Sequence, residues 1–179
     1  MGMIFPLSTS RLRIEPLEMR DLETFVSYRQ DPDIARFQSW ETTYSKAQAE
    51  DLIESQVGVT LPEKGEWLQI ALHDLVTGEL IGDLALHQVA DEDLVFEIGF
   101  TVAKRHQGKG YAKEAAAKLV EQLFTEVGAK RVVAATDARN ISSKRVLLGI
   151  GFEQNPDKGW EEEFKNELVQ VDFFETYKQ

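Results

Sequence analysis

The chain has no cysteine. That one absence excludes disulfides, thiolate metal ligands and a cysteine nucleophile together. Histidine is scarce: His73, His87 and His106 are the three present, and no two of them stand four residues apart. A helical histidine pair for a metal is therefore unsupported, and no metal is expected. No apolar run approaches the roughly 20 residues of a membrane-spanning helix. The N-terminal MGMIFPLSTSR lacks the long apolar core of a signal peptide. A soluble, cytoplasmic protein with no membrane partner is expected. Positive charge is also in deficit, 20 Lys and Arg against 31 Asp and Glu, for a net charge of −11. Duplex binding is driven by cations meeting phosphates, so no nucleic-acid partner is expected. The acidity serves solubility or a cationic partner.

What is present is ordinary globular composition, 42% apolar and 28% charged over 179 residues. One domain spanning residues 1–179, long enough to bury a substantial core, is expected. RLRIE alternates as a strand, with Leu12 and Ile14 on one face. Asp21 stands as an N-cap for LETFVSYRQ, and Ser45 with Gln48 has the form of a capping box opening a helix toward Gly58. WLQIALHD and ELIGDLALH read as a hairpin across Val76-Thr77-Gly78, followed by a longer strand LVFEIGFTV. Gly99 inside that strand signals a bulge or a close backbone approach. RVVAAT and VQVDFFETY read as further strands, with a helix between them capped by Asn140 or Ser142. An antiparallel run thus precedes a strand–helix–strand unit.

The most informative stretch is RHQGKGYAKEAAAKLVEQLF, Arg105 to Phe124. Ala112, Ala115, Ala116, Leu119, Val120, Leu123, Phe124 and Val127 form one apolar stripe, and Gly128 is placed to end the helix. A strand running into a glycine turn and then a helix is an anion-binding arrangement, because unpaired N–H groups at the helix start point at the ligand. Arg105, Lys109 and Lys113 add positive charge. The P-loop is excluded because Gly110 is followed by Tyr111 rather than Lys. The dinucleotide fingerprint is excluded because its third glycine is replaced by Lys113. What remains is Arg-x-x-Gly-x-Gly-x-Ala, filled by Arg105, Gly108, Gly110 and Ala112.

This loop resembles the coenzyme A pyrophosphate loop of the GNAT N-acetyltransferases. EIGFTV before it, the alanine-rich helix after it and the later DARNISSKRVLLGIGF fall in family order. RLRIEPLEMRDLETF and GELIGDLALH resemble the branch of the ribosomal-protein N-terminal acetyltransferases RimJ and RimL. The resemblance implies an α/β chain of α+β layout, with a mixed, mostly antiparallel, twisted sheet flanked by helices and splayed central strands. It implies acetyl-CoA, with the pantetheine arm along the backbone of Phe100, Thr101 and Val102 and the pyrophosphate on the loop of Arg105, His106, Gln107, Gly108, Lys109, Gly110, Tyr111 and Ala112. Asn140 matches the family asparagine on the pantetheine side. An amine substrate would take the acetyl group directly, the enzyme being a monomer or homodimer.

Two glutamates fit the family's proton acceptor, Glu97 in EIGF and Glu163 in GWEEEF. Each also has a plain reading: Glu97 as a hydrogen-bonding strand residue, and Glu161 to Glu163 as a solvated charge run. Many family members carry a tyrosine seven residues after the asparagine, as acid to the departing thiolate; here that position is Leu147. Ser143, matching a serine of the Rim branch, is the candidate donor to the coenzyme sulfur, or else a first-turn helix residue. The acceptor is a protein N-terminus or a small amine such as an aminoglycoside or polyamine. Asp91, Glu92 and Asp93 near the expected acceptor side favour the cationic small molecules. A cofactor-binding sensor without turnover is the reading of a different class.

Overall fold

The computed structural model describes residues 2–3 and 5–178. Its strands are β1 (Leu7–Ser8), β2 (Leu12–Pro16), β3 (Trp67–Asp74), β4 (Leu80–Gln88), β5 (Val95–Val102), β6 (Arg131–Asp137), β7 (Glu153–Gln154), β8 (Trp160–Phe164) and β9 (Glu167–Tyr177). They form one sheet in the order β1-β2-β3-β4-β5-β6-β9-β7, with β8 hydrogen-bonded to β9. The β5–β6 pair is parallel and the other pairs are antiparallel. A parallel pair needs a long crossover. The apolar stripe of α4 (Tyr111–Gln122) supplies it, burying Ala115, Ala116, Leu119 and Val120.

Strand alternation divides the core. Leu68, Ile70 and Leu72 of β3, Leu84 and Leu86 of β4 and Phe96 and Ile98 of β5 pack in one cluster with α4 and with Leu147 of α5 (Ile141–Gly149). The intervening Ala71 faces the opposite layer, among Phe25 and Tyr28 of α1 (Leu22–Arg29), Ile34 of α2 (Pro32–Ala35) and Ala49 and Ile53 of α3 (Lys46–Ser55). Each large apolar side chain so buried contributes about 1.5–3 kcal/mol.

Both bonds of the expected capping box at α3 are made, Gln48 N–H to Ser45 Oγ at 3.2 Å and Ser45 N–H to Gln48 Oε1 at 2.8 Å. Four readings differ from the sequence. Asp21 makes no side-chain cap on α1. It accepts instead from Glu18 N–H at 3.0 Å and lies 2.6 Å from His73 Nε2, because a short tighter turn precedes the helix. The helix of α4 widens into a π turn over Leu123–Val127 before the left-handed Gly128 ends it. The β4–β5 register runs unbroken through Gly99, and the irregularity falls at Leu72/His73 instead. Finally, WEEEF is a strand, paired with β9 across a turn in which Lys165 and Asn166 take positive φ. Its three consecutive acids hide the alternation that would have announced it.

Candidate active site

The register of β5 with β6 extends only over Val95, Phe96 and Glu97. Beyond Glu97 the two strands part: β5 stays on β4 through Val102, and β6 stays on β9 through Asp137. The stretch Ile98–Val102 therefore has one paired edge and one edge open to a cleft of about 1320 Å³. Residues of both strands line it, from Glu97 to Val102 and from Ala134 to Asp137. The close backbone approach expected at Gly99 occurs one strand away. A Cβ at Gly82 would sit 2.1 Å from Thr101 O, so only glycine lets β4 support the open strand there.

At the end of β5 the chain turns through Gly108 (φ 74°) and Gly110 (φ 82°), both left-handed, into α4. Side chains other than glycine rarely adopt that conformation. The amides of His106 and Gln107 are already used, donating to Ala103 O at 2.8 Å and Lys104 O at 3.2 Å. The amides available to an anion thus begin at Gly108, three residues past the Arg105 that opens the expected loop, and continue into the first turn of α4. Arg11, a residue that no sequence motif singles out, braces the loop. It donates from Nε to Glu114 Oε2 at 2.7 Å and from Nη1 to Lys109 O at 2.9 Å, and lies 4.3 Å from the Tyr111 ring centroid.

His106, Gln107, Gly108, Gly110, Tyr111 and Ala112 line the cleft. The side chains of Arg105 and Lys109 do not: Arg105 turns to Glu79, and Lys109 takes part through its carbonyl, which accepts from Arg11. Burial, followed by the charges of Arg105 and Lys109, lowers the pKa of His106. Asn140 caps α5, accepting from Ser143 N–H at 3.2 Å, and both residues line the cleft with Ser142.

The opposite wall is built by side chains. On the sheet face toward α1 and α3, cross-strand partners stand in rows. Trp67, His87 and Glu97 form one row; Gln69, Ala85 and Gly99 the next; Ala71, Asp83 and Thr101 the third. In the middle row Ala85 and Gly99 are small and Gln69 turns to Asp83, leaving a floor between two polar clusters. In the first, Glu97 Oε2 lies 3.3 Å from His87 Nδ1, and Trp67 stacks on His87 at 4.6 Å. In the third, Asp83 is 1% exposed and accepts from Tyr28 Oη and from Gln69 Nε2 at 2.5 Å. Burial raises the pKa of Asp83, opposed by Arg29, and burial with Asp83 pushes Tyr28 well above the usual phenol range.

Residues 11–153 match the family described as Acetyltransferase (GNAT) domain. The chain belongs to the GNAT acetyltransferase family. A relative from Bacillus licheniformis, the uncharacterized N-acetyltransferase p20, is 27% identical over 172 residues, covering 96% of each chain. A GNAT-family acetyltransferase structure from Bacillus anthracis superposes with a TM-score of 0.82 at 21% identity, covering 96% of this chain and 97% of that one. A spermidine N-acetyltransferase from Vibrio cholerae, solved with CoA and spermine, gives 0.80 at 19% identity, covering 94% and 96%. At these identities the structures establish the GNAT fold. The acetyl donor of a GNAT enzyme is acetyl-CoA. The open edge of β5, the two left-handed glycines and the start of α4 fit an extended arm ending in a pyrophosphate.

Of the two glutamates, Glu97 lines the cleft and Glu163 does not. Strand alternation explains the difference: in β8 the side chains of Trp160, Glu162 and Phe164 face the cleft, while Glu163 is exposed on the other face. Trp160 Nε1 donates to Glu162 Oε2 at 3.0 Å. Leu147, at the position where many GNAT enzymes carry tyrosine, is 1% exposed and offers no proton. The acidic run near the supposed acceptor side is spent elsewhere: Glu92 pairs with Arg131 at 2.5 Å, Asp93 pairs with Lys64, and none of Asp91, Glu92 and Asp93 lines the cleft. Sequence reading also missed Tyr28, Arg29 and Asp83. Arg29 stands four residues after Phe25, on the apolar face of α1, and a charge on that face was the available signal.

Proposed function

We propose that the enzyme transfers the acetyl group of acetyl-CoA directly to a primary amine, with the α-amine of a protein N-terminus as the preferred class and residues 1–179 acting as one domain. The observation that carries this reading is the open edge of β5, which faces the same cleft as Glu97 and the glycine loop. When bound, acetyl-CoA supplies the acetyl thioester; the new C–N bond forms as the C–S bond breaks. Phe100, Thr101 and Val102 hold the pantetheine arm through their backbone, and Gly108 to Ala112 hold the pyrophosphate. Glu97 accepts the amine proton, directly or through one water, and Ser143 donates a hydrogen bond to the departing sulfur.

Magnitudes favour the α-amine. Neutralising it at pH 7 costs about 1.4 kcal/mol, against about 4.6 kcal/mol for a lysine-like amine. Glu97, open to the cleft and linked to one histidine, has a modest task in the first case. RLRIEPLEMRDLETF and the Asn140–Ser143 spacing support the RimJ/RimL-like branch. The test is acetyl-CoA turnover with peptides that offer a free N-terminus, a lysine side chain or both. Thiol release matched by N-terminal acetylation is expected. CoA binding without thiol release on any amine would sink the enzyme reading and leave a sensor.

A further inference from the structure

Arg29 is 6% exposed and lines the cleft, yet its Nε is buried with no hydrogen-bond partner among the described residues. The guanidinium is held by rings instead, 3.7 Å from the centroid of Trp40, 4.2 Å from Phe25 and 4.9 Å from Tyr44. The carboxylate it faces, Asp83, lies 3.9 Å from Nη2, beyond hydrogen-bond reach. Asp83 is meanwhile engaged by Tyr28 and Gln69, and Gln69 is itself fixed at both backbone groups by Gln56, at 2.9 and 2.7 Å. Asp83 is therefore held where it is, and closing on Arg29 would cost it those bonds. A buried arginine whose donors are not taken up by protein is a costly arrangement unless something else accepts from it.

We propose that Arg29 anchors a carboxylate of the acceptor, so that the substrate is an amine that also carries a carboxylate. This rests on the acetyl-transfer reading given above and names the acceptor class within it. A planar guanidinium fork matches a carboxylate in two parallel hydrogen bonds. A single negative charge is better tolerated beside Asp83 than the double charge of a phosphate. The placement is also complementary along the sheet. Thr101, opposite Asp83, lies four residues beyond Glu97 on β5, roughly 13 Å along the strand at about 3.3 Å per residue. Between the two charged ends the floor is Ala85 and Gly99, with Gln69 beside them turned to Asp83. An ammonium toward Glu97 and a carboxylate toward Arg29 would lie across that floor, each facing its opposite charge. A polyamine would bring a second cation against Arg29.

The test compares glycine, diglycine and triglycine with their C-terminal amides, and with spermidine, as acceptors. The carboxylate and amide series differ only at the terminal group, compared at equal concentrations of the neutral amine, and their lengths step across the floor. In wild type, the best carboxylate acceptor should exceed its amide about 10- to 100-fold in kcat/KM, the range for losing a hydrogen bond to a charged group. Arg29→Met should bring the carboxylate-to-amide ratio down to about one, and Arg29→Lys should keep part of the preference. Equal rates for carboxylates and amides in wild type, or a preference for spermidine, would overturn the proposal, and this comparison needs no folded variant. Calorimetry on the CoA complex separates the anchor from turnover. Acetylated diglycine should bind and its amide should bind at least about tenfold more weakly, whether or not acetyl transfer is seen. Equal binding of the two would remove the anchor even in an active acetyltransferase.

Discussion

The two walls of the cleft are built by different means. The cofactor wall is made of backbone: an unpaired strand edge over Ile98–Val102, two left-handed glycines and the amides at the start of α4. The acceptor wall is made of side chains brought together from distant segments: Arg29 from α1, Trp40 and Tyr44 from the loop between α2 and α3, Gln69 from β3, Asp83 from β4 and Glu97 from β5. A backbone site depends on residues that permit a conformation, and those residues cluster in sequence. A side-chain site depends on the register of strands and the docking of helices. The first kind recognises what is common to its ligands, a pyrophosphate and an extended arm; the second can be changed one residue at a time.

The sharpest way to break the cofactor wall is Gly110→Asp. Aspartate tolerates the left-handed backbone better than most residues, so the protein should stay folded. Its charge would face the pyrophosphate, and CoA affinity should fall beyond about 100-fold by calorimetry, since like-charge contacts cost several kcal/mol. Unchanged affinity in a folded variant would remove the anion loop.

The acceptor wall is probed by Glu97→Gln beside Glu163→Gln. A glutamine keeps the shape and cannot take the proton. The first variant should lose about 10²–10⁴-fold in kcat and the alkaline shift of the pH–rate profile should follow the amine alone, whereas Glu163→Gln should match wild type. Normal rates in both would leave water as the proton acceptor.

The contrast between the walls also explains what the sequence disclosed. Gly108, Gly110 and the alanine stripe of α4 announce themselves within 20 residues, and the helix caps at Ser45 and Asn140 are equally local. Arg29 and Asp83 become neighbours only after α1 docks on β4. Glu163 and Glu162 differ by one position on β8, and a run of three glutamates gives no means of choosing which face turns inward. The sequence neighbours of Asp21 suit a helix cap, while its partner His73 lies 52 residues away on β3. Strand register or the docking of one element on another decides each of these cases, and neither is a local property.

A control away from both walls sharpens the comparison with stability. Glu175 of β9 accepts from Arg131, Asn155 and Lys158, at 3.0, 2.7 and 2.9 Å. Burial opposes its ionisation, but the bonds from Asn155, Lys158 and Tyr177 outweigh that and bring its pKa from 4.5 to about 2. A depressed carboxylate stabilises the fold above its unfolded pKa and loses that contribution as pH falls toward the folded one. Glu175→Gln should therefore cost roughly 2–3 kcal/mol at pH 7 and flatten the loss of stability between about pH 4.5 and 2 in denaturant titrations. An acid limb as steep as that of wild type would assign the loss to other carboxylates.

The smallest effect is expected where the walls meet. Ser143→Ala removes one hydrogen bond to the departing sulfur, and kcat should drop about tenfold with acetyl-CoA affinity nearly intact. A wild-type rate would return Ser143 to the first turn of α5 and leave the sulfur to take its proton from water.

The measurement that tests the cofactor wall most directly is amide hydrogen exchange with and without saturating CoA. Exchange should slow over residues 98–102 and 108–112, the open edge and the free loop amides, while residues 28–44 and β8 stay unchanged until an acceptor is added. Saturating CoA that leaves 98–102 and 108–112 exchanging as in the free protein would contradict the account.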